Sequence, residues 1–219
     1  QLKRGDLSMR DFIDLMSAMT NFGMGNLGFS GMMVVTAQFM KGIEEQSYIE
    51  FGEQLYVKQI ARLIYPESRA LVEAHLEKGH TVGVISSATP YQVEPAAKDL
   101  GIDHVMCTYL EVEDGKFTGG VVRPTCFGDG KVTAAEELAS EYNADLDNSF
   151  FYSDSHDDIQ LLERVGHPKV LNPSSKLERM ALHNDWPVAR FGSRGRPSVS
   201  QFVRSVAATA SLVTSFAAG

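Results

Sequence analysis

The sequence predicts an α/β fold, a Rossmann-like parallel sheet flanked by helices, with a small α-helical domain on its amino-terminal side. Three observations predict it. From residue 66 onward helical and strand-like segments alternate, the mark of a sheet covered by crossover helices. Runs such as Thr81-Val82-Gly83-Val84-Ile85 are continuously apolar and short, as strands buried on both faces are. Residues 1–65, by contrast, carry helical spacing on both sides of a glycine-rich stretch.

Taken in order, Ser8-x-x-Asp11 is a capping-box pattern leading into Phe12, Ile13, Leu15, Met16 and Met19. Residues 21–31 hold four glycines and read as a loop, and Met32, Met33, Val34, Val35, Phe39 and Met40 form the next apolar stretch. Seven of the nine methionines fall in the first 40 residues. They fill a helical core or line an adaptable pocket wall, the core being the commoner use. A helix over 66–78 stops at Gly79, a strand covers 81–85, a helix over 91–100 ends at Gly101, and a strand covers 105–108. The run from Leu110 through Thr118 reads as a β-hairpin turning at Asp114-Gly115. A helix over 131–142, a strand over 149–152, a helix over 159–165 and strands over 169–171 and 187–191 complete the chain.

The 219 residues, 43% hydrophobic, suffice for one core and a small appended domain without disulfides. Cys107 and Cys126 are too few for a disulfide framework and read as reduced, so a cytoplasmic chain is expected. The formal charge of -8 argues against nonspecific duplex nucleic-acid binding, which needs a basic surface. No run approaches the roughly 20 apolar residues that span a bilayer, and no charged-then-apolar leader opens the chain.

In an open parallel sheet, ligands sit beyond the carboxyl ends of the strands. That rule selects the loops at Ser86 and Ser153. Ser86-Ser87-Ala88-Thr89 sets hydroxyl and N–H donors just before a helix, which suits either a phosphate cradle or an ordinary N-cap. Asp154, Asp157 and Asp158 crowd three carboxylates after an apolar strand. A magnesium ion taking Asp154 and Asp158 relieves that crowding; an acidic helix start is the plainer reading. His156 is left as a solvated loop residue, since imidazole suits softer metals. Lys131, at a Gly-flanked helix start, reaches a phosphate or stays a surface lysine.

Strand-end Ser86, Gly130-Lys131 opening a helix, and Ser153-Asp154-x-x-x-Asp158 followed by Leu161-Leu162-x-x-Val165-Gly166-x-Pro168 and Asn172-Pro173 together resemble haloacid dehalogenase-type phosphatases. The likeness covers roughly residues 1–192. Ile85-Ser86-Ser87-Ala88-Thr89 and the hairpin are similar to the phosphoserine-phosphatase-like branch, which implies a helical cap over residues 1–65, a core over 66–193, and a tail over 194–219. The resemblance implies magnesium-dependent hydrolysis of a phosphate monoester through an aspartyl-phosphate. Ser86 and Ser87 would bind phosphoryl oxygens, Lys131 would neutralise charge, and Asp154 with Asp158 would hold Mg2+.

That family's first motif, an apolar strand ending in Asp-x-Asp, supplies nucleophile and general acid, and residues 1–65 hold no counterpart. The sole Asp-x-Asp, Asp145-Leu146-Asp147, precedes its strand and is expected to cap a connection. The expectation is that the 219 residues begin after the motif; a noncatalytic phosphate-binding or scaffolding domain is the alternative, and phosphoryl transfer to an acceptor other than water a third reading. Arg190, Arg194, Arg196 and Arg204 flank an apolar stretch over 206–218, a pattern suited to peripheral membrane contact. The tail also resembles the junction of bacterial proteins that fuse such a phosphatase to a 1-acylglycerol-3-phosphate acyltransferase, implying a lysophospholipid-related substrate.

Overall fold

The computed structural model describes residues 28–192. The expected helix after Ser8, most of the methionine-rich segment and the basic tail lie outside them. Helix α1, Phe29–Met40, buries Met33, Ala37 and Met40, one stripe at helical spacing. It absorbs Gly31, which the glycine count assigned to a loop, and the helix instead starts at Gly28, whose extended backbone (φ -70, ψ 163) is the cap. One interior glycine costs about 1 kcal/mol, less than this apolar face returns. Helix α2, Glu45–Leu55, continues through a π-type turn, Tyr56–Ile60, and a tight turn, Ala61–Leu63.

Strands β3, Leu110–Glu113, and β4, Lys116–Val121, form an antiparallel hairpin. Its turn lies at Asp114 (φ 50) and Gly115 (φ 72), the left-handed pair that a two-residue turn requires. Leu110, Phe117 and Val121 pack with Met33, Ala37, Met40 and Tyr91 in one buried cluster. Met33 and Met40 therefore fill core rather than line a pocket. Gly52 lets α2 lie flush on the next layer, because a Cβ there would sit 2.1 Å from the Tyr91 carbonyl oxygen. Tyr91 donates to Glu45 at 2.8 Å, and Asp99 accepts from both Tyr56 and Arg69.

Two helix–strand units follow the same local grammar. Helix α3, Pro66–Glu77, has proline in its first turn and ends before Gly79 (φ 74); it leads to β1, Gly83–Ile85. Helix α4, Pro90–Asp99, starts on proline, ends before Gly101 (φ 71) and leads to β2, His104–Met106. Strands β1 and β2 pair in parallel, Val84 opposite Val105. The strand expected over 105–108 stops at Met106, so Cys107 and Thr108 leave the ladder.

Helix α5, Asp129–Glu141, leads to β5, Phe150–Ser153. Helix α6, Ile159–Arg164, leads to β6, His167–Leu171, and α7, Ser175–His183, leads to β7, Val188–Ala189. These three strands are parallel in the order β5-β6-β7. Leu162, Val170, Leu177 and Ala181 form their buried core. Ala135, Leu161 and Val165 form a second, flanked by Ile85 and Phe151.

The parallel sheet is thus in two pieces, and a cavity of about 600 Å³ lies against both. Val84 and Ile85 of β1, Phe150 and Phe151 of β5, and Leu71, Leu138 and Leu161 of the helices line it. An apolar slot bounded by β1 and β5 offers backbone donors and acceptors on two sides, the surroundings of a strand.

Candidate active site

Parallel pairing brings β5 to an end at Ser153, and the chain turns sharply there because Ser153 Oγ accepts from the Ser155 amide at 3.0 Å. Ser155 repeats the device on Asp157 at 3.2 Å, which winds a short turn, His156–Asp158, into α6. The turn points Asp158 inward, where its two oxygens take separate partners. Oδ1 accepts from Lys131 Nζ at 2.5 Å and Oδ2 from Ser153 Oγ at 2.6 Å. Lys131, Ser153 and Asp158 are each only 7% exposed, so this is a buried, charge-assisted network rather than a surface pair.

Lys131 reaches inward from the first turn of α5, which begins on Gly128 at φ 54, a left-handed conformation open to glycine. At Gly130 a Cβ would stand 2.0 Å from the Thr125 carbonyl oxygen, so the loop over 124–128 lies against that turn without slack.

Ser86 follows β1, its amide donating to Met106 at 2.8 Å and its Oγ accepting from the Ala88 amide at 3.2 Å. Thr89, at the N-cap position of α4, is buried, and its Oγ1 has no hydrogen-bond partner among the described residues. Cys126 lies between the two halves. Burial raises the pKa of its thiol, the charge of Lys131 works against that rise, and Asp158 adds to it. Cys126 Sγ and the Ser86 amide both donate to the Met106 carbonyl, at 3.5 and 2.8 Å, so the loop that leads to Lys131 lies beside the loop at Ser86. Cys107 and Cys126 are both free and buried, and burial pushes the Cys107 thiol up to about 12.

The two carboxylates read from the sequence occupy different environments. Asp154 is exposed, whereas Asp158 is engaged by Lys131 and Ser153. Among the described residues no cluster of three or more His, Cys, Asp or Glu could by itself hold a metal ion. Two carboxylates fit magnesium, which completes its octahedron with waters and substrate oxygens, better than a metal that needs a full protein cage. His156 pairs with Asp157 at 3.1 Å on the surface. Asp145 accepts from the Asp147 amide at 2.9 Å and from Asn148 at 2.7 Å, capping the turn before β5 at the opposite end from Asp154.

Sequence reasoning missed Ser153 as a partner of Asp158, and Thr108 and Cys126 as neighbours of the phosphate loop. Ser153 had a local signal, a hydroxyl five residues before an acidic helix start. Thr108 and Cys126 had none, since their contacts span 18 residues or more.

A family model described as haloacid dehalogenase-like hydrolase matches residues 3–163. A probable phosphatase of Mycobacterium tuberculosis is 40% identical over 132 residues, covering 60% of this chain and 46% of that protein. A histidinol-phosphatase of Neisseria meningitidis is 32% identical over 151 residues, covering 67% of this chain and 68% of its own. The chain spans about half the length of the first of these relatives. The structure of a probable phosphoserine phosphatase from Vibrio cholerae superposes with a TM-score of 0.64 at 18% identity, over 88% of this chain and 59% of that one. With the family model matching residues 3–163 and Lys131 paired with Asp158 at the end of β5, the chain belongs to the haloacid dehalogenase-like hydrolase family, in its phosphoserine-phosphatase-like branch.

Proposed function

We propose that this chain carries the supporting half of a magnesium-dependent phosphomonoester hydrolase that works through an aspartyl-phosphate. The observation that carries the reading is the buried Lys131–Asp158–Ser153 network at the end of β5, with Ser86 at the end of β1 and Cys126 of the lysine loop meeting at the Met106 carbonyl. A buried lysine needs a partner, and Asp158 holds Lys131 charged at the strand ends, where a phosphoryl group would sit.

In this reading the Ser86 hydroxyl, whose oxygen accepts from the Ala88 amide, and the Ser87 amide donate to the phosphoryl oxygens. Thr89, whose buried hydroxyl has no hydrogen-bond partner, adds a third donor. Lys131, fixed by Asp158, offsets the charge that builds as the phosphoryl group is transferred. Asp154, exposed, and Asp158, fixed by Lys131 and Ser153, would hold Mg2+. Bound there, the magnesium ion neutralises the phosphate and orients it. The nucleophile is an aspartate at the carboxyl end of a strand seated in the cavity between β1 and β5, a strand supplied from outside residues 28–192. Helices α1 and α2, in the cap expected over residues 1–65, select the leaving group.

The substrate class is a phosphate monoester, as the named activities of the relatives are. The lysophospholipid reading rests only on the sequence of residues 194–219. It is tested by comparing turnover of lysophosphatidate with that of small esters, and equal rates contradict it. The function itself is tested by phosphate release from a chromogenic monoester with and without Mg2+, in wild type and in Asp154→Asn. Release that needs both Mg2+ and Asp154 supports it. Release indifferent to Asp154 overturns the metal assignment, and tight phosphate binding without turnover in the complete protein supports the noncatalytic alternative.

A further inference from the structure

The site depends on two walls from different parts of the chain, the loop at Ser86 and the loop that leads into Lys131. Neither wall is a strand neighbour of the other. What holds their spacing is the short segment after β2. The Met106 carbonyl accepts from the Ser86 amide at 2.8 Å and from Cys126 Sγ at 3.5 Å. Two residues on, the Thr108 amide donates to the Ala88 carbonyl at 3.1 Å, while Thr108 Oγ1 accepts from the Cys126 amide at 3.1 Å. Each of these two residues therefore touches both walls.

From Cys126 the constraint passes on to the lysine. The Gly130 amide donates to Phe127 at 3.0 Å, the Lys131 amide donates to Gly128 at 3.0 Å, and Gly130 abuts Thr125 with no room for a Cβ. Thr108 itself is fully buried, 0% exposed, so water cannot replace its hydroxyl as acceptor.

We propose that Thr108 is a positioning residue, bracketing the phosphate loop and the lysine loop so that Ser86 and Lys131 keep the separation one phosphoryl group requires. This rests on the phosphatase reading for its purpose, but the geometry is open to test without it. Thr108→Val keeps the shape and removes the acceptor, and Thr108→Ser keeps the acceptor and removes a methyl group.

Backbone amide resonances of the 219-residue chain separate the outcomes. In Thr108→Val the amides of both Ser86 to Ala88 and Gly130 to Lys131 shift, and in Thr108→Ser they return to wild-type positions. Inorganic phosphate, titrated into the same samples, binds at least tenfold more weakly to the valine variant and within threefold of wild type in the serine variant. If only Cys126 shifts, or if phosphate affinity follows thermal stability across the two variants, Thr108 is merely structural and the bracket is refuted. A wild-type chain that neither binds phosphate nor, in the complete protein, hydrolyses esters refutes the phosphatase reading. The resonance shifts then still decide whether Thr108 couples the two walls.

Discussion

Lys131 lies in the first turn of α5 and Asp154 directly after β5, and the fold gives them opposite environments. Lys131 is buried against Asp158, and Asp154 faces solvent. Removing one member of a buried pair leaves the other charge without its partner, at a cost of about 3–5 kcal/mol. Lys131→Ala is therefore expected to lower unfolding stability by about that amount, whereas Asp154→Asn shifts it by less than ~0.5 kcal/mol. Urea titration checks both, and equal losses would put the network elsewhere. Their strand-end and helix-start positions were legible in the sequence. The burial of one and exposure of the other were not, because they follow from the turn that Ser153 and Ser155 wind, not from residue type.

His75 makes a second prediction at this scale. Its ring is buried between His80, 2.8 Å away, and Tyr152, also at 2.8 Å, with Phe150 edge-on. Burial first, then the charges of His80 and Lys78, lower its pKa from 6.5 to about 4. The unfolded chain therefore binds the proton that the folded chain refuses, and stability falls as pH drops from about 6.5 toward 4. Burial beside Lys169 moves His167 the same way. His75→Gln is expected to flatten the fall in urea midpoint over that window; an unchanged slope would assign it to other groups.

At the scale of elements, the helix starts and stops were the most legible feature. Pro66 and Pro90 opened helices, and Gly79 and Gly101 closed them, because proline and left-handed glycine act through local backbone geometry. Gly31 misled for the complementary reason: its conformation is ordinary, and the burial of Met33, Ala37 and Met40 decides for helix. The docking of α2 was illegible, since it depends on Gly52 meeting Tyr91, 39 positions away. Gly52→Ala drives a Cβ into a carbonyl oxygen that cannot rotate aside. The expected cost is about 2 kcal/mol or more, with faster proteolytic cleavage within the segment 56–65. Unchanged cleavage would show that α2 holds its place without close approach. A second contact ties α1 to the lysine loop: Phe29 stacks on Phe127 at 4.5 Å, and Ser30 meets Thr125 at 2.9 Å. If α1 is part of a selective cap, Phe127→Ala changes the ratio of turnover between bulky and small phosphate esters. A uniform loss would mean the stack only supports the loop.

At the scale of the molecule, the order and spacing of Ser86, Lys131 and the Asp154–Asp158 loop predicted the family, which the family model bears out, and the alternation of helices and strands predicted the fold, which the fold comparison bears out. What no local pattern could show is the division of the parallel sheet into two pieces with an apolar cavity of about 600 Å³ against both. Each strand near it has ordinary composition, and the gap exists only between elements far apart in the chain. Placed in that cavity, an extended apolar segment ending in Asp-x-Asp would join β1 to β5 and bring a carboxylate toward the strand ends where Ser86 and Asp154 lie. The most direct test joins such a strand ahead of Gln1 and measures phosphate release from a chromogenic monoester. Magnesium-dependent turnover is expected, lost when the strand's first aspartate becomes asparagine and lost again in Asp154→Asn. A folded protein with the strand seated between β1 and β5 that releases no phosphate, or releases it equally in Asp154→Asn, would contradict it.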